Sequence, residues 1–472
     1  MKILVLESST TSAKAMLYDT DASSWNIASK AYGFVQDSPA LHDPDAVFAL
    51  TAAAAKELAG STQADIILLS TTWHSVMLCS RNGTPLSPVE LWCYTGASEL
   101  CSTLRKKPGY ADEYYRRTGS LVNSTYPYFK LMEKRNAHSL PTDCRIGGQG
   151  TYNMYKLTGE WITTLSMASG SGLVNIHTQT YDDDLLASIG ISREQIPAIA
   201  PYGTTYPLSK EGAELLAQKA GTPVVPAFPD GALNQVGAGA LAHGIMTFSV
   251  GTSAAVRMTT KDAVLPGTPN LWSYFAPGAH LLGAATSGAC NCQDWFKKTF
   301  FPSSVPYSEI ENHLTAARST PVFLPFLFGE RCPGWQENRS GGFELLKPEH
   351  TPYDMYQSVL EGILFNVYQC YNIIEATAGR PRIIKLSGGI LHSAVWTQMC
   401  ADIFGREMTA DKTDQGSVMG CAVIGMHLLG TLKSLESFCP EPDRTVVPDM
   451  KMHDIYMEKY RRYCTCYDAQ PV

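Results

Sequence analysis

The sequence predicts an α/β protein built from two related domains. Short runs rich in Ile, Val and Leu alternate with longer helical patterns, which is the arrangement typical of α/β folds. A strand, a polar turn and a second strand occur at residues 3–18 and again at 245–258, about half a chain apart. Such a recurrence indicates duplicated units. With 472 residues, the chain has room for two or three domains of roughly 150 residues.

The first half opens with a predicted hairpin, because residues 3–6 and 15–18 are apolar and flank a polar stretch. The later patterns of this half predict an alanine-rich helix at 45–58, a buried strand at 64–70, a strand at 221–227 and a small-residue helix from 232 to about 243. We place the domain boundary near residue 244, so that the two domains cover 1–243 and 244–472.

The second half begins with the second hairpin, whose strands are predicted at 245–250 and 254–258. The patterns that follow predict a long helix at 353–375, a strand at 382–386, a helix at about 392–404 and a charged amphipathic helix at 451–462. No low-complexity linker separates the two halves.

Composition excludes several classes of protein. A hydrophobic content of 44% with 17% charged residues is ordinary for a globular chain, and the net charge of −7 argues against a nucleic-acid partner. No apolar run approaches the ~18 residues of a membrane span, and the start of the chain lacks a secretory signal. The thirteen cysteines include no Cys-x-x-Cys pair, so we expect reduced thiols in a cytoplasmic protein without membrane partners.

Both hairpin tips are rich in hydroxyl groups and free backbone N–H groups. The first tip carries Ser9, Thr10, Thr11 and Ser12, and the second is formed by Gly251, Thr252 and Ser253. The usual glycine-rich nucleotide loops are missing from the chain. Two facing tips of this kind can hold a polyphosphate from both sides. An ordinary polar β-turn also explains each tip taken alone.

Three further positions are candidates for chemistry, and each has a plain structural alternative. Asp230 comes just before a predicted helix, where an Asp serves either as an N-cap or as a general base at a cleft. Gly388 and Gly389 follow a strand and permit either tight packing or the close approach of a flat ring. His74, next to Trp73 after a buried strand, is either structural or a contact for a polar substrate.

Taken in order, these pieces resemble the FGGY carbohydrate kinases of the actin/hexokinase superfamily, and the resemblance covers almost the whole chain. The matching stretches are Gly251-Thr-Ser-Ala-Ala-Val-Arg257, the segment Phe323–Trp335, Leu360-Glu361-Gly362, Ser387-Gly388-Gly389 and the run from Trp396 to Asp402. The resemblance implies two actin-like (ribonuclease H-like) α/β domains that flank a cleft. Such kinases bind ATP with Mg²⁺, mainly on the second domain, and a sugar on the first.

The resemblance also implies roles for single residues. Asp230 would be the base for the substrate hydroxyl, and Trp73, His74 and Asp230 would contact the sugar. Glu7 would lie at the metal. The remaining implied positions bind ATP: Thr10, Thr11 and Lys14 at the first phosphate loop, Gly251, Thr252 and Ser253 at the second, and Gly388 and Gly389 at the adenosine. Many relatives are dimers, so a homodimer is the implied assembly.

Within the family, two stretches lean toward the gluconokinases. Asp230-Gly-Ala-Leu-Asn-Gln-Val-Gly237 resembles the gluconokinase pattern Asp-Gly-x-Leu-x-Asn-Leu-Gly, and Trp335 after Arg331-Cys-Pro-Gly is similar to theirs. We therefore expect a small sugar, polyol or sugar acid as the substrate, with gluconate preferred. A xylulokinase-type ketose kinase is the alternative.

Several positions depart from the family pattern. The first loop reads Glu7-Ser8-Ser9-Thr10 in place of Asp-x-Gly-Thr, and the stretch from Trp92 to Gly96 lacks the two charged residues of Trp-x-Asp-x-Arg. Thr164 replaces an Asp before the Ala-Ser pair. These changes motivate a second hypothesis from another class, a nucleotide-binding regulatory relative without sugar phosphorylation.

Overall fold

A computed structural model describes residues 1–35, 38–411 and 415–470 of the chain. Secondary structure in the first half is dense and begins almost at the first residue. Its elements are β1 (Lys2–Ser8), β2 (Ser12–Asp19), β3 (Ser24–Ala31), β4 (Leu41–His42), α1 (Pro44–Ala59), β5 (Ile66–Thr71), β6 (Met77–Cys79), β7 (Val89–Glu90), α2 (Ser98–Arg105), α3 (Tyr110–Thr118), α4 (Pro127–Asn136), β8 (Arg145–Gly147), α5 (Gln149–Thr158), β9 (Ile162–Thr164), α6 (Leu165–Ser169), β10 (Val174–Asn175), β11 (Thr180–Tyr181), α7 (Asp183–Ser188), β12 (Ala198–Ala200), β13 (Tyr206–Pro207), α8 (Lys210–Leu216), β14 (Pro223–Pro229) and α9 (Asp230–Gly237).

The second half has longer helices and fewer small strands. Its elements are β15 (Ile245–Val250), β16 (Ala254–Thr260), β17 (Trp272–Ala276), β18 (Ala279–Thr286), α10 (Cys290–Phe300), α11 (Tyr307–Glu311), β19 (Val322–Leu324), β20 (Gly342–Glu344), α12 (Pro352–Ala378), β21 (Ile383–Gly388), α13 (Ala394–Phe404), β22 (Met408–Asp411), α14 (Gly416–Leu428), β23 (Pro442–Val446) and α15 (Met450–Ala469), with short 3-10 turns at Gly389–His392 and Leu435–Ser437.

Each half is organised around one large mixed sheet, and the two sheets share a topology. The first has the strand order β13-β14-β5-β1-β2-β3, and the second has the order β17-β18-β16-β15-β21-β22-β23. In both sheets an antiparallel hairpin leads from the central strand, whose other neighbour is parallel: β5 beside β1, and β21 beside β15. The duplication expected from the two hairpins is confirmed by this repeated order.

Burial and capping explain where the elements begin and end. Both β1 and β5 are buried along nearly their whole length, which accounts for their unbroken apolar runs. The long helix α12 starts one residue before its predicted position, because Pro352 occupies the first turn and Thr351 and Asp354 form a reciprocal capping box. The helix expected to run from 232 to about 243 is shorter, since α9 ends at Gly237 and Gly239 has a φ of +62°.

The two halves meet where helices α9 and α14 cross at backbone distance. A Cβ atom added to Gly420 would lie 2.1 Å from the carbonyl oxygen of Leu233, and one added to Gly237 would lie 2.1 Å from that of Gly416. Only glycine permits so close an approach. The far end of α14 packs on the first sheet, where a Cβ at Gly425 would lie 2.8 Å from Ile3. A helix of the second half is thereby locked to the first half.

All thirteen cysteines are free thiols, as the sequence predicts. No helix within the described residues is long and apolar enough to cross a bilayer.

We predict that Gly420→Ala destabilises the protein, although Ala is the better helix former. The added methyl group would meet the Leu233 carbonyl, and overpacking of this kind costs about 1–3 kcal/mol, whereas helix propensity alone would favour Ala by about 1 kcal/mol. Thermal unfolding measures whether the substitution lowers or raises the melting temperature. Gly267→Ala is the matched control, because no atom lies within 4 Å of a Cβ at that exposed position. A melting temperature of Gly420→Ala at or above that of the parent protein contradicts the proposed crossing.

Candidate active site

A cleft of about 810 Å³ lies between the two sheets and is lined by residues from both. It opens where the parallel strands of each sheet end, which is the usual place for ligands in open α/β sheets. Nine residues singled out from the sequence line it: Thr10, Thr11, Trp73, His74, Asp230, Gly251, Thr252, Ser253 and Gly388. Glu7, Lys14 and Gly389 are not among the lining residues.

Topology explains why residues so far apart in sequence come together. Strands β1, β5 and β14 run parallel, with Ser8 beside Thr71 and Thr71 beside Pro229. The chain leaves these three strands at one edge of the sheet, so the first polar turn, the Trp73-His74 pair and Asp230 share that edge. In the second sheet, Val250 lies beside Gly388, which places the second polar turn next to the glycine pair.

The first polar turn presents backbone N–H groups to the cleft. Thr10 and Thr11 donate no backbone hydrogen bond to any described residue, whereas Ser9 closes the turn by donating to the Ser12 carbonyl at 3.1 Å. The Tyr32 hydroxyl donates to the Ser9 carbonyl, and the Trp92 indole donates to Thr10 Oγ1 at 3.3 Å. The turn is thus held from behind while its tip keeps free donors.

The second polar turn repeats this arrangement on the other half. Thr252 and Ser253 likewise donate no backbone hydrogen bond to a described residue, and the first turn of α10 donates to the carbonyls of Gly251 and Thr252. Gly388 has a φ of +89°, and a Cβ there would lie 2.5 Å from the Val250 carbonyl oxygen. This close approach requires glycine and joins the strand end to the turn.

Asp230 is the first residue of α9, and the N-cap position belongs to Pro229. The Asp230 carboxylate accepts a hydrogen bond from the Gly231 N–H at 2.7 Å. Burial and the nearby negative charge of Glu7 raise its pKa to about 6, while Arg257 and two backbone N–H groups oppose that rise. Such a carboxyl group is ionised at neutral pH and holds a proton more readily than an ordinary Asp, as suits a general base.

Glu7 lies behind the cleft at the end of β1 and is 1% exposed. Its Oε1 accepts a hydrogen bond from the Ser70 hydroxyl at 2.9 Å, and its Oε2 lies 3.6 Å from the Lys14 ammonium on the neighbouring strand. Lys14 therefore pairs with Glu7 in this structure. No group of three or more His, Cys, Asp or Glu side chains forms a metal cluster among the residues described.

His74 and Trp73 form a buried aromatic corner of the cleft. The Trp73 indole donates to the Ser166 carbonyl at 2.9 Å, and the His74 Nδ1 lies 2.6 Å from the Gly170 carbonyl oxygen. Burial, with smaller contributions from the positive charges of Arg331 and Lys130, lowers the pKa of His74 to about 3. The ring is therefore neutral. Because a carbonyl only accepts, Nδ1 carries the proton and Nε2 is an acceptor for a ligand hydroxyl.

Two arginines and two aromatic residues of the cleft were not predicted as site residues. Arg257 follows the second polar turn on β16, and Arg331 belongs to the long segment before Trp335. Trp272 and Tyr274 on β17 stack with ring centroids 4.4 Å apart and continue the surface of Trp73. A signal for the arginines was present, since each is a single positive charge within an apolar stretch. Trp272 and Tyr274 gave no such signal, because the apolar sequence of their strand is typical of an ordinary buried strand.

Comparison with known proteins identifies the family. Residues 2–237 match the N-terminal domain of the FGGY family of carbohydrate kinases, and residues 246–429 match its C-terminal domain. A gluconokinase of Bacillus licheniformis is 26% identical over 459 residues, covering 92% of this chain and 89% of the relative. A xylulose kinase of Staphylococcus epidermidis is 25% identical over 493 residues, covering 98% and 96%.

Solved structures agree with the sequence matches. A gluconate kinase and a ligand-bound xylulose kinase, both from Lactobacillus acidophilus, each superpose with a TM-score of 0.94 at 26% identity, covering 99% of this chain and 98% of theirs. A Plasmodium falciparum glycerol kinase with ADP shares the fold at 17% identity and a TM-score of 0.86. Because the two family matches span most of the sequence, the chain belongs to the FGGY family of carbohydrate kinases, two-domain α/β phosphotransferases that use ATP.

Proposed function

We propose that this protein transfers the γ-phosphoryl group of ATP to a hydroxyl group of gluconate, with Asp230 as the general base. The observation that carries the proposal is the position of Asp230, whose carboxylate shares one cleft with both polar turns and with the His74 corner. The gluconokinase of Bacillus licheniformis and the gluconate kinase of Lactobacillus acidophilus support the choice of substrate.

In this proposal the two domains bind different substrates. The first, residues 1–243, would hold the sugar and supply the base, and the second, residues 244–472, would hold most of the nucleotide. The separate sheets support this division, as do the family matches, which end at 237 and resume at 246. Closing the two domains over the cleft would exclude water and limit wasteful hydrolysis of ATP.

The free backbone donors of the two turns are the groups that would bind the phosphates. Thr10 and Thr11 on one side, and Thr252 and Ser253 on the other, offer N–H and hydroxyl groups to phosphate oxygens, while the Gly251 N–H closes the second turn by donating to the Ser253 carbonyl. Gly388 and Gly389 would leave room for the adenosine. Lys14, which pairs with Glu7, would act on the phosphates through its charge.

Glu7 and Asp230 fit the needs of a magnesium ion. Glu7 lies behind the cleft and pairs with Lys14 at 3.6 Å, so a cation in the cleft would be held chiefly by Asp230, with the charge of Glu7 acting from behind. Mg²⁺ is commonly held by one or two carboxylates together with substrate phosphates. When bound, it would neutralise charge on the phosphates during transfer.

The substrate would lie against the aromatic corner. Trp73 offers an apolar ring face to the carbon skeleton, and His74 Nε2 accepts a hydrogen bond from a hydroxyl group. Asp230 would take the proton of the reacting hydroxyl as its oxygen attacks the γ-phosphorus, and ADP would leave in line. A pKa of about 6 lets Asp230 be free of a proton at neutral pH and still accept one.

A cytoplasmic location and a homodimer remain predictions from the sequence.

A ketose kinase is the second candidate function, because xylulose kinases are about as similar in sequence to this chain as the gluconate kinases are. ADP release with ATP and Mg²⁺ separates the candidates when D-gluconate and D-xylulose are compared over a range of concentrations. A higher kcat/KM for xylulose replaces our proposal with the ketose kinase. ATP binding without turnover on a wide sugar panel favours the regulatory relative.

We predict that Asp230→Asn lowers sugar-dependent ADP release about 10²–10⁴-fold, the usual contribution of a general base. In the parent protein, activity should fall as the pH drops through about 6, because Asp230 then gains a proton.

The raised pKa of Asp230 also means that folding disfavours the charged carboxylate. This cost in folding free energy is present above pH 6 and is relieved as the pH falls toward 4. Asp230→Asn should therefore melt higher than the parent at pH 8 and lose that advantage near pH 4.

Asp21→Asn is the matched control for this experiment, because that carboxylate is 85% exposed and is not among the residues that line the cleft. It should leave both activity and the pH dependence of melting unchanged. Full activity of Asp230→Asn overturns the assignment of the base.

We further predict that Glu7→Gln moves the acid limb of the pH–rate profile to lower pH. Removing the negative charge of Glu7 removes one of the causes that raise the pKa of Asp230. If Glu7 also holds the metal, the Mg²⁺ concentration for half-maximal activity rises in the same variant. Glu57→Gln, at a carboxylate that is 68% exposed, is the control. An unmoved acid limb contradicts the electrostatic coupling, and an unchanged Mg²⁺ requirement contradicts the metal role.

A further inference from the structure

Arg257 and Arg331 bring two positive charges to the sugar side of the cleft. Both line it. Burial is the main cause that lowers the pKa of Arg257, and the positive charge of Arg331 lowers it as well, so the two guanidinium groups repel each other. A Cβ at Gly231 would lie 3.3 Å from Arg257 Nη2, which places that guanidinium beside the first turn of α9. Arg331 lies over the ring of Trp92, 5.4 Å from its centroid.

Neither guanidinium is satisfied by the protein. Nε and Nη1 of Arg257 and Nε of Arg331 are buried and have no hydrogen-bond partner among the described residues. A buried donor to which nothing is bonded costs roughly 1–3 kcal/mol, and more when it is charged. Two such groups facing one cleft indicate a missing acceptor.

The carboxylates close to Arg331 in the sequence are already engaged by other groups. Glu330 accepts from Arg339 at 2.8 Å and from the Tyr467 hydroxyl at 2.6 Å. Glu337 accepts from Arg105 at 2.6 Å and from the Asn123 amide at 2.9 Å. The protein therefore pairs these two carboxylates with other groups, and Arg331 has no ion pair with any carboxylate in the part of the chain that the structure describes.

One further basic group lies near the site, Lys130, whose pKa burial lowers to about 7, so it adds only part of a positive charge at neutral pH. Behind His74, the Lys130 ammonium donates to the carbonyls of His74 and Glu90 and faces no carboxylate at hydrogen-bond distance among the described residues. Asp230 is the charged group that raises the pKa of Arg257, and it forms no direct ion pair with it. Asp230 must remain free to accept a proton in the proposed reaction, so it does not take the place of an anion at the arginines.

We propose that Arg257 and Arg331 together bind the carboxylate of a sugar-acid substrate and so select it over a neutral sugar. This inference rests on the proposed function and deepens it by naming the groups that choose the substrate class. Planar guanidinium groups suit a carboxylate, because their N–H groups match its two oxygens.

The placement of the two arginines fits one orientation of the substrate. The Arg257 guanidinium lies beside the first turn of α9, the helix that begins with Asp230, whereas Arg331 lies over the ring of Trp92. A substrate whose carboxylate is held by this pair extends a hydroxyl group toward Asp230.

Direct binding tests the arginine pair without requiring catalysis. The probes are D-gluconate and D-glucitol, which differ at C1, where a carboxylate replaces a neutral hydroxymethyl group. Titration calorimetry on the full chain gives Kd for both. We expect the parent protein to bind gluconate more tightly than glucitol. Arg331→Gln should raise the Kd for gluconate about 10- to 150-fold, as for one lost bond to a charged group, and leave glucitol binding within twofold.

Two further variants separate this role from a structural one. Arg331→Lys keeps the charge without the planar fork and should lie between the parent and Arg331→Gln for gluconate. Arg380→Gln makes the same substitution at a side chain that is 68% exposed and should change nothing. Because the two cleft arginines repel each other in the free protein, the melting temperature of Arg331→Gln should be no lower than that of the parent. Substitution of a residue needed for folding would lower the melting temperature.

The outcomes distinguish this inference from the proposed function. If the parent binds gluconate no more tightly than glucitol, or if Arg331→Gln weakens both ligands equally, the arginine site is overturned. If gluconate binding depends on Arg331 while no ADP is released with gluconate, the site stands and the proposed kinase activity on gluconate is wrong.

Discussion

The glycine contact between α9 and α14 is the constraint on which the site depends. Because Gly237, Gly416 and Gly420 let the two helix backbones touch, the helix that begins with Asp230 is fixed against a helix of the second half. Asp230 therefore keeps its position relative to both polar turns. Because this helix crossing lies between the two sheets, any movement that closes the two halves over the cleft must either keep the contact between α9 and α14 or bend the chain next to it. A single methyl group at this point acts on stability and on the geometry of the base together.

Charged groups of both signs meet in the cleft. Burial and the negative charge of Glu7, which lies behind the cleft, raise the pKa of Asp230, which suits proton transfer. Arg257 lies beside the helix turn that carries Asp230, and Arg331 lines the same cleft near a histidine that burial keeps neutral. The proposed base and the proposed anion site are therefore neighbours, so one bound substrate can reach both.

Most of the architecture was predictable from sequence, because its signals are local. The two hairpins, the long helix over 353–375 and the recurrence between halves all follow from the period and polarity of short segments. The end of α9 was predicted too late, since the small residues beyond Gly237 look helical until Gly239 turns the chain. Asp230, His74 and the polar turns were singled out from their positions at strand and helix ends, and the family resemblance then implied their roles. Arg257 and Arg331 were missed although each is a single positive charge within an apolar stretch, because the buried guanidinium atoms without a partner among the described residues are visible only in the folded packing.

The unsatisfied arginines show how stability and substrate choice oppose each other in this fold. A cleft that holds two repelling guanidinium groups and buried donors without a protein partner is less stable than one built from neutral side chains of similar shape. Binding an anion removes the repulsion and satisfies the donors at once, so free energy that the arginines cost in folding is recovered in binding. A neutral sugar would leave both charges uncompensated. Discrimination between a sugar acid and a neutral sugar therefore comes as much from the cost of uncompensated charge as from the contacts made to the carboxylate.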